Sequence, residues 1–368
     1  MHTTLLLVIV VATALAFDVT NGFHDTANVV ASSISTRALS PRTAIGLAAV
    51  LNFAGAFISL KVAATVASGI VATGAVTETV VFAGLVGAIV WNLITWYFGL
   101  PSSSSHALIG GVIGAVLAAV GHSGVQWSAL LAKVVVPAVF SPLVAFITAG
   151  ISILVIYQIV GRRRPGVVNR GFRVGQILTG SMLALAHGTN DAQKTMGVIT
   201  LALVAHGTID AHHVVVPAWV VATSASAIAL GTYAGGWRII RTLGTRIIKM
   251  DSAQGFASQG AGAAVILVSS HFGYPLSSTH VISGGVMGAG AARRLSAVRW
   301  GVAGNIAVAW VLTLPAAGLF GAIVYWLQSI PGSGVEGPLV ILCLAGATAL
   351  GLTARHRRQV QPAAPAAG

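Results

Sequence analysis

Asp18, Asp25 and Asp191 stand inside apolar runs of a chain with seven acidic residues among 368. A carboxylate at the bilayer centre costs about 2.5–3.5 kcal/mol even on a lenient insertion scale, so each of the three marks a functional position by default. Asp18, Asn21, Asp25 and Asn28 fall at i, i+3, i+7 and i+10, one face of a helix. In a second stretch His187, Asp191 and Lys194 share a face in the same way, with Gln193 a further intramembrane polar residue. Carboxylate and amide oxygens suit a hard monovalent cation or a transferable proton. The plainer alternative is an Asp–Lys or Asp–Asn pair that only fixes helix packing; it has most force for Asp191 beside Lys194.

A second residue set points to an anion. Pro101-Ser-Ser-Ser-Ser-His106 and Pro275-Leu-Ser-Ser-Thr-His280 each precede an apolar run, a helix-start signal. A helix beginning within a membrane aims free N–H groups and a positive dipole end at its surroundings, and hydroxyls add donors. Ser103, Ser104 and Ser105 at one start, with Ser277, Ser278 and Thr279 at the other, could share a tetrahedral oxyanion. The competing reading is that small residues, with Gly110-Gly111 and Gly284-Gly285, simply let helices pack closely. His24, His106, His187 and His280 flank both motif types and are candidates for proton handling, because imidazole titrates near physiological pH. No pair of them has a chelating spacing on one helix, so no metal site is expected.

The elements that must position these residues are membrane helices. Hydrophobic residues make up 56% and charged residues 7%, with mean hydropathy +0.89, against about 25% charged residues in soluble domains. Apolar segments fall at 3–36, 42–61, 80–99, 102–120, 128–160, 175–204, 215–236, 255–273, 276–292, 301–327 and 336–354. They predict an all-α polytopic membrane protein of about 10–12 spans. The short apolar start after Met1-His2 lacks a basic leader and reads as the first span. Segments 3–36 and 175–204 are too long for simple spans, and their polar, glycine-bearing middles predict broken or re-entrant helices.

The net charge of +13 sits in short connectors around Arg37 and Arg42, Arg162 to Arg173, Arg238 to Lys249, Arg293 to Arg299, and Arg355 to Arg358. The positive-inside rule makes these cytoplasmic loops and excludes a nucleic-acid partner. The N-terminus is then outside, the C-terminus inside, and the lipid bilayer of the plasma (inner) membrane is the partner.

Both motifs recur in one order and at similar spacing: Asn21-Gly22-Phe23-His24-Asp25 with His187-Gly188-Thr189-Asn190-Asp191, then the two proline–serine elements. Five spans per copy turn the second copy over. The expected organisation is a repeat over 1–160, a basic connector at 161–174, an inverted repeat over 175–327, an extra span within 328–354, and a tail at 355–368. Inverted repeats are typical of secondary transporters, whose sites lie at the midplane. An enzyme is not expected. An intramembrane serine–histidine hydrolase needs one asymmetric nucleophile with its base, whereas serine and histidine are duplicated here and no nucleophile elbow appears.

The paired motifs resemble those of the inorganic phosphate transporter (PiT) family, over about residues 10–327. The Gly-x-Asn/His-Asp hallmark stands at Gly22–Asp25 and Gly188–Asp191, and each copy is followed by the Pro-x-Ser-[ST]-[ST]-His element. The first copy is similar to the bacterial low-affinity branch. The resemblance implies a symporter importing inorganic phosphate, with Ser103, Ser104, Ser105, Ser277, Ser278 and Thr279 on phosphate and Asp25, Asn28, Asn190 and Asp191 on the coupling ion. It implies no cofactor beyond that ion. His24, where sodium-coupled relatives more often carry Asn, favours H+ over Na+. Sulfate or a metal–phosphate complex remains an open substrate on the same scaffold, and a homodimer an open assembly. Asn28 against Lys194, and Asp18 against Ala184, break the symmetry, so the two ion subsites are not expected to be equivalent.

Overall fold

The computed structural model describes residues 2–72, 76–332 and 334–360. The last part of the expected tail, 361–368, lies outside the described residues. These are helical apart from connectors, and the only β-type pairing among them is one bridge between Val71 and Val125.

Two long helices form the centre. α1 (His2–Ser35) and α8 (Pro165–Ala205) run antiparallel, and at 1.5 Å per residue they extend about 50 and 60 Å. At one end Leu6 of α1 and His206 just after α8 line a common cavity with Glu78. At the other, Thr36 donates to Gln176 over 2.6 Å.

Each long helix is crossed by a broken one. α2 (Pro41–Gly55) and α3 (Lys61–Ser68) run along α8, while α9 (Ala218–Ala234) and α10 (Trp237–Arg241), which continues into a π turn at Thr242–Arg246, run along α1. The breaks expected at the glycine-bearing middles of 3–36 and 175–204 are therefore located elsewhere. α1 and α8 are continuous, and the interruptions lie at 56–60 and at Gly235, which has φ +73°. The motif glycines serve close approach instead. A Cβ at Gly22 would overlap the Ile228 carbonyl, and one at Gly188 the Asn52 carbonyl. Gly188→Ala should therefore cost about 1–3 kcal/mol by forcing these backbones apart. Gly46→Ala, where nothing lies within 4 Å, should cost nothing. Thermal unfolding in detergent compares the two, and equal melting temperatures would contradict the close-crossing account.

Two hairpins complete the core. α4 (Glu78–Phe98) and α5 (Ser104–Val120) share their root at the Val71–Val125 bridge. α11 (Ser252–His271) and α12 (Ser278–Ala291) share theirs where Arg293 lies 3.7 Å from Asp251 and Gln254 donates to the Ala289 carbonyl at 3.2 Å. α11 starts sharply because Asp251 and Gln254 cap each other's backbone N–H groups. The first root is beside the start of α1 and the second beside its end, where a Cβ at Gly255 would meet Thr36 and Gln176. The hairpins thus enter from opposite faces, and the two five-span repeats are inverted.

The periphery faces lipid. α6 (Trp127–Leu130) passes through a π turn at Leu131–Val135 into α7 (Val136–Val160), and α13 (Trp300–Ser329) is its counterpart. Trp127–Val160 and Trp300–Ser329 have only 22% and 28% of their most apolar window buried. Exposed Phe140, Leu143, Ile147, Val308, Val311 and Leu312 would be a liability in water and suit hydrocarbon. α7 packs on α12 and α13 on α5, where Cβ atoms at Gly288 and Gly114 would overlap the Phe146 and Gly318 carbonyls. α14 (Glu336–Val360) is the extra C-terminal helix. Thr4–Ser35, Glu78–Phe98, Trp127–Val160 and Trp300–Ser329 are long and apolar enough to cross a membrane unaided; α8 is longer still but carries the polar run from His187 to Lys194.

Candidate functional site

The site is built at the two hairpin tips. Each tip turns on a proline: Ser102 N–H donates to the Leu100 carbonyl, and Leu276 N–H to that of Tyr274, both at 2.9 Å. A three-residue inverse γ-turn needs a central φ near −75°, which the pyrrolidine ring supplies at Pro101 and Pro275. The next helix then begins. Ser103 Oγ accepts from His106 N–H at 3.1 Å, and Ser277 Oγ from His280 N–H at 3.3 Å. The first hydroxyl of each triplet is therefore a helix cap, which leaves the following two free to reach the centre.

Those two meet the carboxylates in a crossed pattern. Ser104 Oγ donates to Asp25 at 3.2 Å and Ser278 Oγ to Asp191 at 2.8 Å, each within its own repeat. Ser105 Oγ reaches Asp191 at 3.5 Å and Thr279 Oγ1 reaches Asp25 at 3.4 Å, each across to the other repeat. Ser278 also lies 3.5 Å from Asp25, so one hydroxyl touches both acids. Asp25, His187 and Asp191 offer ligand atoms within 4.8 Å of one another. No such cluster was expected from spacing on single helices, because it is drawn from α1 and α8 together. Every one of these side chains is buried.

Basic and amide groups surround the acids. His24 Nδ1 lies 2.8 Å from Asp25, while its Nε2 lies 3.1 Å from Thr95 Oγ1 and 3.4 Å from Ser102 Oγ. The matching residue of the second repeat, Asn190, donates to Ser270 at 2.8 Å and to the Tyr274 carbonyl at 3.3 Å. Both positions thus tie a central helix to its own hairpin tip. Asn28 Nδ2 donates to Thr279 at 2.9 Å and Ser278 at 3.3 Å, and its Oδ1 is buried without a partner. His187 Nε2 lies 2.7 Å from Asp191, and Lys194 pairs with the same carboxylate.

Other expected residues sit further out. Gln193 accepts from the Val62 and Ala63 N–H groups at 2.8 and 3.1 Å, capping the start of α3, and donates to the Thr189 carbonyl. This polar residue supports the broken helix. His106 and His280 face each other with ring centroids 4.8 Å apart, and His280 stacks on Trp310 at 4.2 Å. The hydrogen bonds of the described residues give neither imidazole a carboxylate partner. Asp18 is fully buried with neither oxygen hydrogen-bonded, and Asn21 Oδ1 is likewise unpartnered.

Asn52, Thr95 and Thr232 were not anticipated, and Ser102, inside the first proline–serine element, was given no role of its own. Asn52 donates to Thr232 at 2.8 Å and its Oδ1 lies 3.2 Å from His187 Nδ1, joining α2, α8 and α9 behind Asp191. The available signal was the presence of an Asn in an apolar span; it lay outside the duplicated motifs.

The sequence model described as "Phosphate transporter family" matches residues 21–321, which include both carboxylate motifs and both tips. The chain belongs to this family. Within the phosphate transporter family it is similar to a Mycobacterium tuberculosis protein named "Probable low-affinity inorganic phosphate transporter", 53% identical over 353 residues, covering 96% of this chain and 84% of that protein. A protein of the same name from Bacillus subtilis is 43% identical over 330 residues, covering 89% and 98%. A solved structure named "The sodium-dependent phosphate transporter" superposes with a TM-score of 0.77 at 26% identity, covering 88% of this chain and 99% of that one. The phosphate transporter fold and the multi-pass helical architecture are thus shared. The relatives are named for transport, not catalysis.

Proposed function

We propose that this chain is a secondary active symporter that imports inorganic phosphate together with a cation. The observation that carries this reading is the convergence of two capped helix starts, from opposite faces, on one pair of buried carboxylates. Ser104, Ser105, Ser278 and Thr279 are the phosphate donors, joined by the free N–H groups of the two helix starts. Asp25 and Asp191 supply the negative charge that draws the coupling cation into the site, and positive charge beside them offsets it when the oxyanion arrives. Both acids are at most 1% exposed, so this arrangement is an occluded one and substrate enters when a hairpin tip withdraws. Moving either tip breaks contacts to both repeats, which ties access on one face to closure on the other.

The coupling ion in this reading is the proton. Its support is His24, a titratable imidazole 2.8 Å from Asp25 where the second repeat has the amide of Asn190. The sodium reading has its own support in the solved relative, which is named as sodium-dependent, and in the oxygen-rich surroundings of Asp25 and Asn28. Wild type should take up phosphate into proteoliposomes under an inward proton gradient without sodium, and His24→Asn should lose that uptake by about 100-fold or more, the range of general acid–base contributions. Wild-type uptake that begins only on sodium addition would assign the coupling to sodium.

Orientation follows from charge. Arg37, Arg246, Lys249, Arg293, Arg294 and Arg299 sit around the α11–α12 root and the end of α1. In our reading this end is cytoplasmic in the inner membrane, placing the N-terminus outside and the C-terminus inside.

A further inference from the structure

The two repeats differ most where their symmetry should matter most. Asn28 in α1 and Lys194 in α8 each stand three residues after their aspartate, and each reaches a hairpin tip. Asn28 is neutral and leaves its oxygen unpartnered. Lys194 is 1% exposed, and its ammonium pairs with Asp191 Oδ1 while donating to Ser105 Oγ at 2.5 Å and to the Leu276 carbonyl at 2.7 Å. A carboxylate, a hydroxyl and a backbone carbonyl are the oxygen types that bind a hard cation. They come from α8, the α5 tip and the α12 tip.

We propose that the Lys194 ammonium is a built-in cation that permanently occupies the second repeat's ion subsite, leaving one exchangeable coupling cation at the Asp25–Asn28 subsite of the first. The proposal rests on the symporter reading above and specifies its ion site. The ammonium is covalently held by its four-carbon stem, so it supplies the charge and the contacts of a bound ion without crossing the membrane. It bridges Ser105 of one hairpin and Leu276 of the other, as an ion shared between the tips would. The first repeat has the complementary arrangement: Asp25 lacks a lysine partner, and the buried Asn28 oxygen is available as a ligand.

The test is the ratio of cation to phosphate carried by the full-length protein in proteoliposomes, read from the cation gradient that just balances an opposing inorganic phosphate gradient, with H+ and Na+ tried separately. Wild type should move a single coupling cation per phosphate, with first-order dependence on it. Lys194→Asn recreates in α8 the residue that α1 carries. It should acquire a second coupling cation, steepening the dependence to second order, while Lys194→Arg should keep the wild-type ratio. A wild-type ratio above a single cation would overturn the proposal, and this measurement stands even if the variant does not fold. An unchanged ratio in Lys194→Asn with weakened phosphate binding would also overturn it, making the ammonium a phosphate ligand. Absence of gradient-driven uptake by wild type under either ion would instead sink the symporter reading on which the proposal rests.

Discussion

Asp25→Asn should abolish gradient-driven phosphate uptake and leave a folded, membrane-inserted protein, whereas Asp191→Asn should abolish uptake and destabilise the fold as well. Both carboxylates are central to the site, and removing even an outer-shell partner of a bound ion costs about 10–100-fold; loss of a direct ligand should match or exceed that. The difference lies in what each substitution leaves behind. Asp25 has His24 Nδ1 at 2.8 Å and no lysine or arginine partner among the described residues, so its substitution strands no fixed cation. Asp191 is paired with Lys194, both at most 1% exposed, and breaking a buried ion pair leaves an uncompensated charge worth about 3–5 kcal/mol. Proteoliposome uptake and thermal unfolding in detergent measure the two effects separately. Wild-type uptake by both variants would remove the carboxylates from the coupling site. Equal stability of both would remove the special standing of the Asp191–Lys194 pair.

The double substitution Ser104→Ala/Ser278→Ala should weaken equilibrium binding of labelled phosphate by about 100–10,000-fold. Each hydroxyl donates to a buried carboxylate, an interaction of about 1.5–3 kcal/mol, and in the proposed complex each donates to the oxyanion; about 1.4 kcal/mol is a factor of ten in affinity. The companion pair Ser103→Ala/Ser277→Ala removes the helix caps instead. It should lower stability by about 0.5–2 kcal/mol per cap while phosphate affinity stays within a few-fold of wild type. Binding to purified protein in detergent, with melting temperatures taken alongside, distinguishes the pairs. If capping serines and carboxylate-facing serines lower affinity equally, the division of labour within each triplet is wrong.

Much of the architecture follows from the amino-acid sequence alone. Sparse charge and long apolar runs require lipid around the chain, and the duplicated motifs with an odd number of spans per copy require inversion. Proline followed by serines requires a helix start, because proline lacks the N–H that an interior position needs and serine caps the orphan donors. These are local or counting properties, so no tertiary information enters them. Three outcomes depended on the packed chain. Gly22 and Gly188 allow either a broken helix or a close crossing, and the choice fell to the partner carbonyls of Ile228 and Asn52 pressing on them; the breaks moved to α2–α3 and α9–α10. The serines of each triplet look alike in sequence, and only the turn at Pro101 or Pro275 assigns the first to its own helix and the next two to Asp25 and Asp191. Lys194 beside Asp191 reads as an ordinary helical pair until Ser105 and the Leu276 carbonyl arrive from opposite hairpins. Those contacts join residues 82 and 89 positions apart, and contacts at that separation are set by how helices pack, which no local pattern encodes.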